Sequence, residues 1–457
     1  MRIVKVYIMR DSFGSKIGLV LATAGSAVGL GNVWRFPFMA GQNGGAAFII
    51  IYIFFIVILG VPGMVSEFIV GRHAGTNAAR AYSRLSTGRQ WKHVGVMGIV
   101  TSTIILGFYA VVAGWCLNYL FVSIGGDIGG DASSVRQYFV QFSSSPVSPV
   151  LWGLTFIVLT HLVIVRGIRS GIEKFSKLMM PTMFVLLIVL VVASCMLPGS
   201  MKGVAFLLNP DFSKVDGHVF LVALGQAFFS LSLGTACLCT YSSYFSRSTN
   251  LVRSAVQIAF IDTLVAILAG LMIFPAAFSV GINPDSGPSL IFITLPCVFH
   301  EAFAGMPVLG YVTSILFYAL LSLAALTSTI SMHEIGTAFF HEELNKSRKT
   351  AACYVSALAA VICIVSSFSV GYMPGLQLFG MSMMDCFDKL TAQLLLPLGG
   401  FLTCIYIGWF ASFPRVYEEF TNDSTVNRSL FRVYLFLVRY VCPTFILAIF
   451  LDQFGLL

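Results

Sequence analysis

Two glycines, an amide and an arginine interrupt a strongly apolar run at Ser26-Ala27-Val28-Gly29-Leu30-Gly31-Asn32-Val33-Trp34-Arg35-Phe36-Pro37. Gly29 and Gly31 free the backbone there, and Asn32 adds a side-chain oxygen where the neighbouring residues have none. A second interruption, Ala227-Phe228-Phe229-Ser230-Leu231-Ser232-Leu233-Gly234-Thr235, sets hydroxyls and a glycine between Gly225 and the apolar-aromatic run to Tyr244. Backbone N–H and C=O groups released from a helix can bind ligands, and a break of this kind inside a bilayer is tolerated only where it lines a site. Asp262 adds a carboxylate to a third apolar run, and an intramembrane carboxylate is a functional-site candidate by default.

The elements that must hold these groups are membrane helices. The chain has 457 residues, 57% of them hydrophobic and only 10% charged, with a mean hydropathy of +0.89. No soluble core takes up so much apolar surface. Spans of about 20 residues fall near 16–42, 46–71, 94–123, 149–166, 172–196, 218–246, 253–281, 307–340, 350–370, 384–412 and 430–453. An all-α integral membrane protein of eleven transmembrane helices is therefore expected, preceded by an arm over 1–15. The two breaks make the first and sixth spans discontinuous. Residues 16–198 and 218–412 then read as two five-helix halves of opposite orientation, a 5+5 inverted repeat with a midplane site at its interface, and 430–453 as the eleventh helix.

Most of the 27 lysines and arginines fall in the N-terminal arm and in 72–92, 166–177, 247–253, 346–349 and 415–432, all on one side of the expected membrane. That side is the cytoplasm by the positive-inside rule, which puts the N-terminus inside and the C-terminus outside. The net charge of +8 then reflects topology and anionic lipid, so the bilayer is an expected partner and nucleic acid is not. No removable leader is expected, because the apolar segment after Lys16 continues without a cleavage signal. Ten scattered cysteines show no CxxC pair, and seven histidines show no metal-ligand spacing. Gly29-Leu30-Gly31 lacks the third glycine and the preceding strand of a dinucleotide site, and Gly71-Arg72-His73-Ala74-Gly75-Thr76 has Thr where a P-loop needs Lys. No enzyme is expected.

The run GSAVGLGNVWRFP, followed by Asn43-Gly44-Gly45-Ala46-Ala47-Phe48, Glu67 with Gly71-Arg72, GQAFFSLSLG, FITLPCVF, LTSTIS and SRK, resembles the neurotransmitter:sodium symporter family along nearly the whole chain. It is most similar in kind to the eleven-helix bacterial amino-acid transporters of that family: the outer loop 124–148 is short and without a Cys pair, and no twelfth helix follows. The resemblance implies a sodium-coupled symporter that imports an amino acid by alternating access across a bacterial plasma membrane. A substrate-sensing receptor on the same fold is the alternative, disfavoured by the short loops and termini.

Residue by residue, the resemblance implies that N–H groups near Leu30 and Gly31, with the Tyr109 hydroxyl, receive the substrate carboxylate, and that carbonyls of Ala27, Phe229 and Ser230 receive its ammonium. Taken alone, Tyr109 would be an interfacial or packing tyrosine. Sodium, a hard cation that wants oxygen ligands, is expected at two sites. One uses Asn32, the Ala27 carbonyl, Ser230 and Asp262; the other uses the carbonyls of Gly25, Val28 and Ala324 with the hydroxyls of Thr327 and Ser328. Asp262 departs from the family pattern, where an amide is common, and Ala266 stands where chloride-dependent members carry a hydroxyl. A fixed charge at Asp262 makes chloride unnecessary, although Tyr52, Gln226 and Ser230 would otherwise suit a chloride pocket. The alternative for Asp262 is a helix-end charge facing the cytoplasm.

The side-chain pocket is expected from Ile105, Tyr109, Phe229, Ser232, Thr235, Ser328 and Met332. Thr235 replaces a phenylalanine of the leucine-transporting relative, which makes room for a bulky hydrophobic or aromatic amino acid. Glu67 is expected to satisfy the unwound sixth helix. Outer closure is expected from Arg35 and Asp388 above Phe229, and inner closure from Arg10 and Glu342 near Tyr244. For the inner pair, solvated charges at a membrane face are the blander reading.

Overall fold

The computed structural model describes residues 12–85, 88–126, 132–281, 290–422 and 427–453. In chain order the helices are α1 (Lys16–Ala27), α2 (Gly31–Gln42), α3 (Ala46–Ala74), α4 (Ala78–Leu85), α5 (Lys92–Gly125), α6 (Ser133–Ser144), α7 (Ser148–Ile164), α8 (Ile168–Cys195) and α9 (Met201–Leu208). They continue with α10 (Gly217–Ser230), α11 (Cys237–Ser242), α12 (Leu251–Ser279), α13 (Ile291–Ala302), α14 (Pro307–Glu343), α15 (Arg348–Tyr372), α16 (Met383–Phe410), α17 (Phe413–Thr421) and α18 (Arg428–Gln453). A two-residue hairpin, β1 (Gln377–Leu378) with β2 (Met381–Ser382), joins α15 to α16. Polar side chains start several helices where the sequence turns apolar: Ser15 accepts from the Gly18 N–H, Asp216 from Val219 and Asn250 from Arg253.

Among the described residues, eight helices are long and apolar enough to cross a membrane, or ten spans if two bent pairs are each counted as one. Leu178, Val185, Ile188 and Val192 of α8 are each more than half exposed. This helix therefore turns a continuous apolar face to its surroundings, as lipid requires and water would penalise. The chain is an all-α, multi-pass membrane protein.

The first break falls where the sequence puts it: α1 and α2 meet at 54° across Val28, Gly29 and Leu30. The sixth expected span, 218–246, is two short helices, α10 and α11, with Leu231 to Ala236 unwound between them. Ser232 and Ala236 have positive φ there (53° and 62°), and so does Gly234. A non-glycine residue in that region costs about 1–3 kcal/mol and persists only when its surroundings hold it. Besides α4 and α17, three short helices lie outside the expected spans. α6 occupies part of the expected loop 124–148 and meets α7 at 75°, α9 follows α8, and α13 contains the FITLPCVF run. Each is too short to span a membrane by itself, and they pack against the long helices instead.

Packing gathers the broken helices at the centre. α1 lies between α8, α12 and α14, whereas α3 backs both α10 and α11. α5 packs against α7, α14 and α15 and presents one face to the unwound segment. Gly71 of α3 allows the close approach of α11, since a Cβ there would overlap the Cys239 carbonyl and the Ser242 hydroxyl. Gly225 of α10 has nothing within 4 Å of the same position. Gly71→Ala is therefore expected to cost about 1–3 kcal/mol through overpacking, lowering the melting temperature of the detergent-purified protein. Gly225→Ala should leave it unchanged or slightly higher, and equal melting temperatures for the two variants would contradict this packing.

Candidate functional site

At the first break the chain's own side chains catch some of the released groups and leave others. The Gly29 N–H donates to Asn32 Oδ1 (3.1 Å), and the Leu30 N–H donates to the Tyr109 hydroxyl (3.0 Å) from α5. Because the Tyr109 oxygen accepts here, its own hydrogen is left to donate elsewhere. At the second break Glu67 of α3 accepts from the Gly234 N–H (2.7 Å) and the Cys239 N–H (3.4 Å), as the sequence reading expected of it. Ser102 of α5 donates to the Thr235 carbonyl (2.7 Å), and the Ser232 hydroxyl reaches the Ser26 carbonyl across the gap (3.4 Å).

Asp262 lies in the interior of α12 with no exposure, so the alternative of a helix-end charge is excluded. Its Oδ1 accepts from Asn32 Nδ2 (2.7 Å), and its Oδ2 accepts from the Ser230 hydroxyl (2.8 Å) and the Tyr52 hydroxyl (3.2 Å). One carboxylate thus ties both breaks to α12 and α3. Tyr52 and Ser230, which the sequence reading considered for an anion pocket, face this carboxylate. Gln226 is buried nearby in the chain, and neither end of its amide has a partner among the described residues.

A second set of oxygens converges between α1 and α14. The Thr327 hydroxyl lies 3.3 Å from the Val28 carbonyl and 2.9 Å from that of Ala324, and the Ser328 hydroxyl is 3.2 Å from Val28 O. Gly25 faces the same place, its absent Cβ leaving 3.4 Å to Thr327 Cβ. Among the described residues no group of three or more His, Cys, Asp or Glu side chains gathers to hold a metal. Hydroxyl and carbonyl oxygens suit a hard cation better than a transition metal.

Between the breaks lies a cavity of about 330 Å³. Ser26, Ala27, Gly29, Leu30 and Gly31 from around the first break and Phe229, Ser230, Ser232 and Thr235 from around the second line it. Ile105, Tyr109, Ser328 and Met332 line it as expected, together with Phe108, Val112, Met384, Thr391 and Leu396, which sequence reasoning missed. These residues carry no signal of their own: they are apolar or small positions on long apolar helices. The Thr235 hydroxyl is used within its own turn, donating to Ser232 O (2.7 Å) and accepting from the Cys237 N–H (3.1 Å). The wall it contributes is therefore apolar.

The expected gates fare unequally. Arg35 and Asp388 both line the cavity, yet no ion pair joins them; the Arg35 guanidinium lies 4.1 Å from the centre of the Phe229 ring instead. Of the other expected pair, Arg10 lies outside the described residues. Glu342 accepts from the Thr76 hydroxyl (2.6 Å) and the Asn77 N–H (2.8 Å). Tyr244 donates to Glu334 (2.7 Å), and Glu334 is ion-paired with Arg348. Glu334 is a buried acid that the rule applied to Asp262 could have found. Phe13 closes over this region against Tyr241, Tyr244 and Phe245, and Glu173 anchors the arm by accepting from the Gly14 N–H (2.6 Å) and the Ser15 hydroxyl (2.9 Å). Further out, Glu419 of α17 gathers Arg72, His73 and Arg247. Burial works against that carboxylate, but the hydrogen bond from His73 and the charges of Arg72 and Arg247 hold it below the usual carboxylate range.

Comparison with known proteins agrees with this arrangement. The profile of the sodium:neurotransmitter symporter family matches residues 10–134 and 138–455. The chain is similar to the crystal structure of MhsT in complex with L-phenylalanine, at a TM-score of 0.88 and 38% identity over 97% of this chain and 99% of that one. It is 39% identical to the sodium-dependent transporter YhdH of Bacillus subtilis over 97% of this chain and 98% of the relative. It is 32% identical to a sodium-dependent transporter of Haemophilus influenzae over 97% and 98%. The chain belongs to the sodium:neurotransmitter symporter family, and is a sodium-coupled membrane symporter rather than an enzyme.

Proposed function

We propose that the protein imports a bulky hydrophobic or aromatic amino acid together with sodium, by alternating access between two halves of an eleven-helix, 5+5 inverted repeat. The observation that carries this reading is one cavity with unwound backbone at one end and an apolar wall at the other. The L-phenylalanine complex of the similar MhsT supports the same substrate class. The carboxylate would lie against the Leu30 and Gly31 N–H groups, with the Tyr109 hydroxyl hydrogen directed to it. The ammonium would lie against carbonyls of Ala27, Phe229 and Ser230. The side chain would rest among Ile105, Phe108, Thr235, Met332 and Leu396.

Two sodium ions are carried on this account. Asn32, Ser230, Asp262 and the Ala27 carbonyl would hold the first beside the carboxylate. Gly25, Val28, Ala324, Thr327 and Ser328 would hold the second, where α1 meets α14. Asp262 supplies the negative charge, so chloride is not required. Arg35 and Asp388 would close over Phe229 from outside, while Tyr244, Glu334 and Arg348, with Arg10 and Glu342, would close the cytoplasmic side. The N-terminus then faces the cytoplasm of a prokaryotic cell and the C-terminus the outside.

Purified protein in proteoliposomes should accumulate phenylalanine against its gradient when sodium is imposed outside, and not when choline replaces sodium. Binding without accumulation would favour a receptor and overturn the transport reading. The same vesicles test the substrate position. A Cβ at Gly29 would overlap the Ser328 hydroxyl and come within 3.0 Å of the Tyr109 oxygen. Gly29→Ala should therefore lower phenylalanine affinity by about tenfold or more in a protein that remains folded, and unchanged affinity would place the substrate elsewhere.

A further inference from the structure

We propose that Ser102, which does not line the cavity, determines substrate size selectivity by holding the Thr235 wall back against α5. This rests on the transport reading above and names a residue that acts through another. Ser102 is 1% exposed and spends its hydroxyl on the Thr235 carbonyl at 2.7 Å. One turn earlier, Gly98 offers the seat: a Cβ there would stand 2.6 Å from Ala236 Cβ and 3.1 Å from the Thr235 carbonyl carbon. The unwound segment is thus drawn into a shallow groove of α5 by one hydrogen bond and admitted by one missing methyl.

The segment needs such an anchor. Gly234 and Ala236, on either side of Thr235, are both left-handed, so the backbone has no helical ladder to return to. Glu67 holds the N–H groups of Gly234 and Cys239 from the α3 side, but it makes no bond to the Thr235 peptide carbonyl. That carbonyl belongs to Ser102. The Thr235 hydroxyl is already engaged within its own turn, so what this residue turns to the cavity is its apolar surface, and its distance from the substrate sets how large a side chain fits. α5 also carries Ile105, Phe108 and Tyr109, so the same helix fixes two parts of one pocket lining.

The test is competition by phenylalanine and alanine for sodium-driven uptake in proteoliposomes, after uptake by the unmodified protein has been established. Loss of uptake in the unmodified protein would speak against the transport reading itself. With Ser102→Ala, Thr235 is free to sag into the cavity, and the phenylalanine-to-alanine preference should fall by about tenfold while the sodium concentration for half-maximal uptake stays the same. Ser102→Thr keeps the hydroxyl and should restore the preference. Gly98→Ala pushes Ala236 off its seat and should shift the preference in the same direction as Ser102→Ala, which keeps the proposal testable if the latter folds poorly. An unchanged preference in a folded, active Ser102→Ala or Gly98→Ala variant would overturn the assignment, as would failure of Ser102→Thr to restore it.

Discussion

Backbone that leaves a helix in the middle of a bilayer has no water to bond with, and each N–H or C=O released there must find a partner or serve as a ligand site. The chain interrupts two helices and meets that constraint from three neighbouring helices. Glu67 on α3 takes N–H groups of the second break, and Ser102 on α5 takes one of its carbonyls. Tyr109 on the same helix takes an N–H of the first break. The hydroxyls of Thr327 and Ser328 on α14 face the Val28 carbonyl. The groups that remain line one cavity, so binding capacity and fold are consequences of the same two interruptions.

Asp262 has a different part. It binds no released backbone N–H; it accepts from the side chains of Asn32, Ser230 and Tyr52 and so joins α2, α10 and α3 to α12. A buried carboxylate with three donors and no cationic side chain among those partners is a negative charge held ready in a low-dielectric interior, where Coulombic attraction for a cation is strong and the cost of leaving it unmatched is high. The proposed sodium ion beside it would relieve that cost. This explains why occupancy by the ion and closure of the broken helices around the substrate would be coupled, since the same carboxylate contacts both.

Much of this could be read from the residues. Gly29, Gly31 and Asn32 in one apolar run locate the first break, Gly234 with its flanking hydroxyls locates the second, and an acid at Asp262 marks the helix that faces them. What could not be read falls into two kinds. Phe108, Val112, Met384 and Leu396 line the cavity through tertiary placement alone, because apolar residues on helices that are apolar all round give no direction. The short helices α6, α9 and α13 lie between the long spans, where hydropathy is too brief to distinguish a short helix from a loop. The polar network around Tyr244 was legible in part: Tyr244 and Glu342 were singled out, but the Tyr244 hydroxyl bonds to Glu334, held in turn by Arg348, and Glu342 takes bonds from Thr76 and Asn77.

Equilibrium sodium binding to the purified protein and to Asp262→Asn, each in chloride and in gluconate, decides whether one fixed carboxylate stands in for a mobile anion at the proposed first sodium site. The unmodified protein should bind sodium equally in both salts, and the variant should bind it about tenfold or more weaker in gluconate, with part of the loss recovered in chloride. Sodium affinity that is unchanged by the substitution, or that depends on chloride in the unmodified protein, would contradict the role given to Asp262.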